Sequence, residues 1–102
     1  MEPVTTAAHS TGSTGAVPDS ARVVIIGGGV IGASVAYHLA HLGWTDVVLL
    51  ERDQLTSGTT WHAAGLIVSG GMTTETLAWM TKYSTDLYAG LEDETGLSTG
   101  FK

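Results

Sequence analysis

Three consecutive glycines, a carboxylate and a histidine are the residues whose type and spacing can do chemistry. Gly27-Gly28-Gly29-Val30-Ile31-Gly32 has the spacing Gly-x-Gly-x-x-Gly and follows directly on the β-branched run Arg22-Val-Val-Ile-Ile26. Gly27 permits a tight turn out of a strand, Gly29 lets a phosphate approach bare backbone, and Gly32 allows close strand–helix packing. The first N–H groups of a helix starting there, around Val30 and Ile31, lack intrahelical partners and sit at the positive end of its dipole. Glu51 lies 19 residues beyond Gly32, at the end of a second apolar run. A carboxylate in that place accepts hydrogen bonds from ribose hydroxyls and repels a 2′-phosphate. The combination predicts a dinucleotide ligand without a 2′-phosphate. A glycine turn that merely joined strand to helix would leave Gly28 and Gly29 together unexplained. The fingerprint alone does not separate FAD from NAD.

These residues need a strand, a helix and a second strand to place them. Val30 to Leu42 reads as a helix closed by Gly43 at its C-cap. Gly32, Ala36 and Ala40 fall four apart on one face, small enough to lie close against a sheet. Arg22–Ile26 and Asp46–Glu51 have the composition of strands buried on both faces. Arg22 to Glu51 is thus a βαβ unit, with parallel strands and a right-handed crossover. The fold class is α/β, a partial Rossmann-like domain over residues 21–102. Residues 52–71 read mostly as loop, with a short helical turn around Trp61 to Leu66. Thr74 to Glu94 reads as an amphipathic helix capped by Thr73 or Thr74 and ended by Gly96. Its Leu77, Met80, Leu87, Tyr88 and Leu91 are read as core.

Composition limits the partners. The chain has 102 residues, 10 acidic against 4 basic, for a formal charge of −6. That balance offers no footprint for nucleic acid or for an anionic membrane surface. No apolar run approaches the ~20 residues needed to span a bilayer. The absence of cysteine removes disulfides and thiol chemistry, and fits a reducing, cytoplasmic compartment. Met1 to Ser20 is rich in Ser, Thr, Ala, Gly and Pro without Lys or Arg. It matches neither a secretory signal nor a transit peptide and is expected to be a disordered leader. His38 and His41 are three apart but have no third ligand nearby, so no metal is expected. His9 lies in the leader. Asp53 and Glu92-Asp93-Glu94 read as solvated charge, and no catalytic acid–base pair or nucleophile stands out.

Three stretches carry a resemblance. Val23-Val-Ile-Ile-Gly-Gly-Gly-Val-Ile-Gly32, Leu50-Glu51-Arg52 and Ser57-Gly-Thr-Thr-Trp-His-Ala-Ala-Gly-Leu66 resemble the start of the D-amino-acid-oxidase-type flavoproteins. Within these the chain is most similar to dimethylglycine and sarcosine dehydrogenases or oxidases, over residues 22 to 102. The Gly-Thr-Thr-Trp-His-Ala-Ala-Gly-Leu string is the specific part. The resemblance implies FAD as the cofactor, with Glu51 and Arg52 near its adenosine ribose. It implies Gly58, Thr59, Thr60, His62, Ala63, Ala64, Gly65 and Leu66 along the pyrophosphate, ribityl chain and flavin edge. Thr59 and Thr60 would supply hydroxyls, and Gly58 and Gly65 close backbone approach.

His62 matches the histidine that such enzymes join covalently to the 8α carbon of the flavin; neutral imidazole is a competent nucleophile at ordinary pH. The plainer reading is a loop histidine bonded to backbone. The resemblance further implies a parent enzyme that takes a hydride from the N-methyl carbon of a secondary or tertiary amino acid onto flavin N5. The iminium is hydrolysed or passed to folate on a C-terminal domain. The substrate carboxylate needs a cationic clamp, yet Arg22, Arg52, Lys82 and Lys102 are the only cations. The chain therefore reads as an inactive fragment of a longer enzyme. Alternatives are another FAD-dependent amine or D-amino-acid oxidase, a catalytically silent regulatory relative, and an NAD-dependent dehydrogenase.

Overall fold

Val23–Ile26 and Val47–Glu51 are short runs of β-branched and leucine side chains, and both form strands. The computed structural model describes Thr5–Ala8 and residues 16–68 and 70–102. We number its strands β1 (Thr5–Ala8), β2 (Val23–Ile26) and β3 (Val47–Glu51), and its helices α1 (Val30–His41) and α2 (Glu75–Thr95). β2 and β3 pair in parallel, Val23 opposite Val47 through Ile26 opposite Leu50, with α1 as the connection between them. A parallel pair cannot be joined by a tight hairpin, so the intervening helix is required by geometry. The α/β reading and the βαβ unit hold.

The core is small. Ile25, Ala36, Val47 and Leu49 form one buried cluster, with Val23 and Leu39 packed against it. β3 sits in the middle of the sheet order β1-β3-β2, and its first three residues are buried. β2 corrects the expectation of a strand covered on both faces. Ile25 is buried, but Val24 is half exposed and Ile26 is 86% exposed. β2 lies at the sheet edge, and α1 packs against the face that carries Ile25. Alternation along the strand sends Val24 and Ile26 to the opposite face.

Four residues within the expected leader form a strand. Thr5–Ala8 pairs in parallel with the other edge of β3, from Thr5 opposite Val48 to Ala8 opposite Glu51. A strand edge presents unpaired N–H and C=O groups, and backbone pairing there asks little of side-chain hydrophobicity. Residues 1–4 and 9–15, His9 among them, lie outside the described residues.

α1 runs one residue shorter than expected. Gly43 N–H donates to the Ala40 carbonyl at 3.0 Å and Trp44 N–H to the Leu39 carbonyl at 2.9 Å, the paired bonds of a Schellman ending. Gly43 has φ +82, a left-handed conformation costly for a residue with a Cβ. Gly32 and Ala36 are buried on the small-residue face. A Cβ on Gly32 would lie 1.9 Å from the Gly27 carbonyl oxygen, so this helix turn meets the strand end with no space for a methyl group. His38 bonds through Nδ1 to the Ser34 carbonyl at 2.7 Å. Among the described residues no group of three His, Cys, Asp or Glu is placed to hold a metal.

The chain divides into two compact units, residues 1–63 and 64–102. In the second, α2 begins one residue later than expected, with Thr74 as N-cap accepting the Leu77 N–H at 3.2 Å. It ends at Gly96, whose φ is +70. The expected core stripe on α2 is corrected. No residue of the helix is buried, and Leu77 and Met80 are about half exposed. Tyr88 stacks on Phe101 at 6.3 Å between centroids. One helix and its flanking turns give a second unit too thin to enclose an apolar stripe.

Candidate functional site

The turn between β2 and α1 is built of peptide groups held from several sides. Gly27 has φ +106, and its N–H donates to the Leu50 carbonyl at 2.8 Å, which continues the sheet one residue past β2. Gly28 N–H donates to Glu51 Oε2 at 2.7 Å. The Gly28 carbonyl accepts the Thr56 N–H at 2.9 Å, and the Gly29 carbonyl accepts the Ala33 N–H at 2.9 Å to start α1. Val30 N–H donates to Thr60 Oγ1 at 2.9 Å. Ile31 points outward and is largely exposed.

Two side-chain oxygens therefore sit on this turn. One is the Thr60 hydroxyl, at the positive end of α1; a Cβ on Gly29 would lie 2.8 Å from it. Bare backbone at Gly29 is what lets an oxygen approach the helix start. The other is the Glu51 carboxylate. Its second oxygen, Oε1, accepts the Asp53 N–H at 3.1 Å, so backbone donors grip both ends. The Gly28 N–H, followed by that of Asp53, holds the Glu51 pKa below the ordinary carboxylate value. The carboxylate is charged and fixed in orientation before any ligand arrives.

Gly58 to Ala63 forms a tight turn. Trp61 N–H donates to Gly58, His62 N–H to Thr59 and Ala63 N–H to Thr60, at 3.2, 3.1 and 3.3 Å. The helical turn expected at Trp61 to Leu66 thus lies three residues earlier. Gly58, with no side chain of its own, starts it, and Gly65, two residues past its end, has φ +72. His62 is exposed, and its Nδ1 lies 2.9 Å from the Gly58 carbonyl. A carbonyl only accepts, so in the neutral ring Nδ1 carries the proton and Nε2 the lone pair.

The structure brings Gly27, Gly29, Val30, Gly32, Glu51 and Thr60 together around one turn. Arg52 is exposed next to Glu51, and Thr59, His62 and Ala63 follow in the same unit. Ala64, Gly65 and Leu66 open the second unit, all three exposed. Sequence reasoning missed three residues of this arrangement. Gly28 is buried, and a Cβ there would meet Leu55 Cδ2 at 2.6 Å and Glu51 Oε2 at 3.2 Å. Leu55 and Thr56 belong to a loop that the sequence marks with no periodicity. The only signal was the glycine at a variable position of the motif.

A parallel βαβ unit with a glycine turn at the start of its helix and a carboxylate ending its second strand defines a Rossmann-like α/β fragment. The family model of FAD dependent oxidoreductases matches residues 22–102, and the chain belongs to that family. The chain is 49% identical over 86 residues to 4-methylaminobutanoate oxidase (formaldehyde-forming) of Paenarthrobacter nicotinovorans, covering 84% of this chain and 10% of that protein. It is 51% identical over 85 residues to mitochondrial dimethylglycine dehydrogenase of Homo sapiens, covering 81% and 10%. It is 47% identical over 97 residues to the mitochondrial pyruvate dehydrogenase phosphatase regulatory subunit of Mus musculus, covering 95% and 10%. The chain spans about a tenth of the length of these relatives. No helix among the described residues is long and apolar enough to cross a membrane.

Proposed function

We propose that the chain forms the adenosine- and phosphate-holding part of an FAD-dependent oxidoreductase that oxidises the N-methyl group of a secondary or tertiary amino acid. The carrying observation is the Thr60 hydroxyl oxygen on the Val30 N–H at 2.9 Å, over a Gly29 whose Cβ would crowd it. That cradle takes an oxygen at the positive end of a helix, which is what a pyrophosphate presents. The residues present fit the group. Gly29, Val30 and Ile31 hold the pyrophosphate through backbone N–H groups, and Gly27 and Gly32 shape the turn. Glu51, with Arg52 beside it, accepts the ribose hydroxyls, and its fixed negative charge disfavours a 2′-phosphate. Gly58, Thr59, Thr60 and Ala63 line the rest of the cofactor.

The bound flavin supplies a two-electron acceptor for the hydride of the N-methyl carbon. His62 is its covalent anchor. Its proton is held on Nδ1 by the Gly58 carbonyl, so Nε2 carries the lone pair that would join the flavin 8α carbon. The methyl C–H broken there would release a proton, with its electron pair taken up by the flavin ring and passed on to the enzyme's electron acceptor. The substrate's carboxylate and amine are bound by residues beyond these 102. Arg22 is engaged over Trp44 at 4.4 Å, Arg52 stands at the adenosine end, and no catalytic acid or base is assigned in this chain. We place the enzyme in the cytoplasm, with folate on a further domain as the acceptor of the released one-carbon unit. The 102 residues alone turn over nothing. Full-length protein should show a flavin absorption spectrum and amine-dependent bleaching, and the flavin should stay with the polypeptide in acid or detergent. Full-length protein that binds no FAD would sink the reading. Flavin that washes free of the denatured polypeptide would remove the covalent link alone.

A second reading is favoured by the 47% identity to a phosphatase regulatory subunit over nearly the whole chain. A relative that keeps the glycine turn and carries no chemistry would show no amine-dependent bleaching, and its full sequence would lack a cationic substrate clamp.

A further inference from the structure

Thr56 is the one residue other than glycine, among those described, with a positive φ, +67. It stands third in a turn closed by Ser57 N–H to the Gln54 carbonyl at 3.2 Å, and Ser57 Oγ donates to the same carbonyl at 2.8 Å. A positive φ at that position of a β-turn ordinarily selects glycine or asparagine. A β-branched residue held there is a strained one, and strain of this kind persists where the surroundings enforce it.

The enforcement comes from the glycine turn. Thr56 N–H donates to the Gly28 carbonyl at 2.9 Å, while Gly28 N–H is held by Glu51 Oε2 at 2.7 Å. Leu55, between them in sequence, closes over Gly28 so tightly that a Cβ there would lie 2.6 Å from its Cδ2. The segment from Glu51 to Thr56 therefore grips both polar groups of Gly28 and its open face. In a planar trans peptide the carbonyl and the following N–H point in opposite directions, and the described residues contain no cis bond. Fixing the Gly28 carbonyl toward Thr56 aims the Gly29 N–H away from that loop. Among the described residues no hydrogen bond takes the Gly29 N–H.

We propose that Thr56 is a positioning residue: its backbone N–H, presented by the left-handed conformation, pins the Gly28 carbonyl and so directs the Gly29 N–H at the cofactor's pyrophosphate. This rests on the reading of the turn as a dinucleotide site. The Thr56 side chain is dispensable to the role; its N–H and its φ are required.

The test uses full-length protein made without flavin in riboflavin-starved cells and titrated with FAD and with ADP, which carries the pyrophosphate but cannot be attached covalently. Thr56→Gly accepts φ +67 and keeps the N–H, and Thr56→Val keeps the shape and the N–H. Both should bind ADP within about twofold of the parent. Thr56→Pro loses the N–H and cannot adopt a positive φ, and should bind roughly tenfold or more weakly, as expected for a misdirected hydrogen bond to a charged group. Equal ADP binding by the proline and parent proteins would overturn the proposal, as would a loss in Thr56→Val matching that of Thr56→Pro. Parent protein that binds neither FAD nor ADP fails the proposed function instead. Should Thr56→Pro not fold, amide hydrogen exchange in the parent decides. The Thr56 N–H should be protected with and without FAD, and unprotected exchange overturns the proposal.

Discussion

Glu51 Oε2 accepts the Gly28 N–H at 2.7 Å, so the carboxylate that ends β3 is anchored on the turn that leaves β2. Two motifs legible separately in the sequence are one hydrogen-bonded unit. The carboxylate proposed to bind ribose and the turn proposed to bind phosphate fix each other's geometry in the ligand-free chain, which would reduce the ordering cost of binding.

Acid should loosen this unit. The Gly28 and Asp53 N–H groups favour the charged form of Glu51 and lower its pKa. The stability it contributes is therefore complete above the ordinary carboxylate pKa and is lost as pH falls through the lowered value. In Glu51→Gln the amide still accepts from Gly28, but the charge is gone. Thermal unfolding of the full-length protein followed from pH 7 to pH 3 should fall less steeply for Glu51→Gln than for the parent.

Gly32→Ala should be severely destabilising. The new methyl carbon would lie 1.9 Å from the Gly27 carbonyl oxygen and 3.4 Å from Ile25 Cγ2. The first is backbone and cannot swing aside, so the helix must move off the sheet. A loss of about 3 kcal/mol or more is expected, at or above the usual range for overpacking, and denaturant titration of the full-length protein measures it.

Thr60→Val separates the ligand-free state from the loaded one. Removing Oγ1 leaves the Val30 N–H without the oxygen it now bonds, a loss comparable to that of a helix N-cap, about 1 kcal/mol. Stability of the flavin-free protein should fall by that amount. In the proposed site a phosphate oxygen of bound FAD would serve the same N–H, so the difference between the two proteins should shrink. Chemical denaturation with and without FAD reads both values.

Gly43→Ala should cost about 1–2 kcal/mol, because φ +82 places a Cβ against the following carbonyl. FAD affinity should be unchanged, since Gly43 lies at the far end of α1 from the glycine turn. A loss of FAD binding equal to that of a turn variant would contradict this assignment.

Much of the first unit was readable because its determinants are local. A β-branched run, glycine spacing, a small-residue stripe at every fourth position and a glycine past Leu42 each constrain neighbouring backbone. The αL stop at Gly96 and the Thr74 cap on α2 belong to the same kind. Sequence and structure part where burial depends on distant partners. The apolar composition of β2 predicts burial on both faces, yet Ile26 is 86% exposed at the sheet edge. The Leu77–Leu91 spacing predicts a core stripe, but amphipathic spacing states which face seeks burial and not whether anything covers it.

The sequence by itself determined the order strand, glycine turn, helix and strand, and with it the family, since those choices are made by backbone freedom and side-chain shape over a few residues. Only the tertiary structure decided what the turn touches. It set Thr60 on the Val30 N–H 30 residues away, Glu51 on Gly28, and Thr56 in a strained conformation against the Gly28 carbonyl. These are contacts between segments that share no local pattern, fixed when α1 docks on β2 and β3 and the loop after Glu51 closes over the glycines.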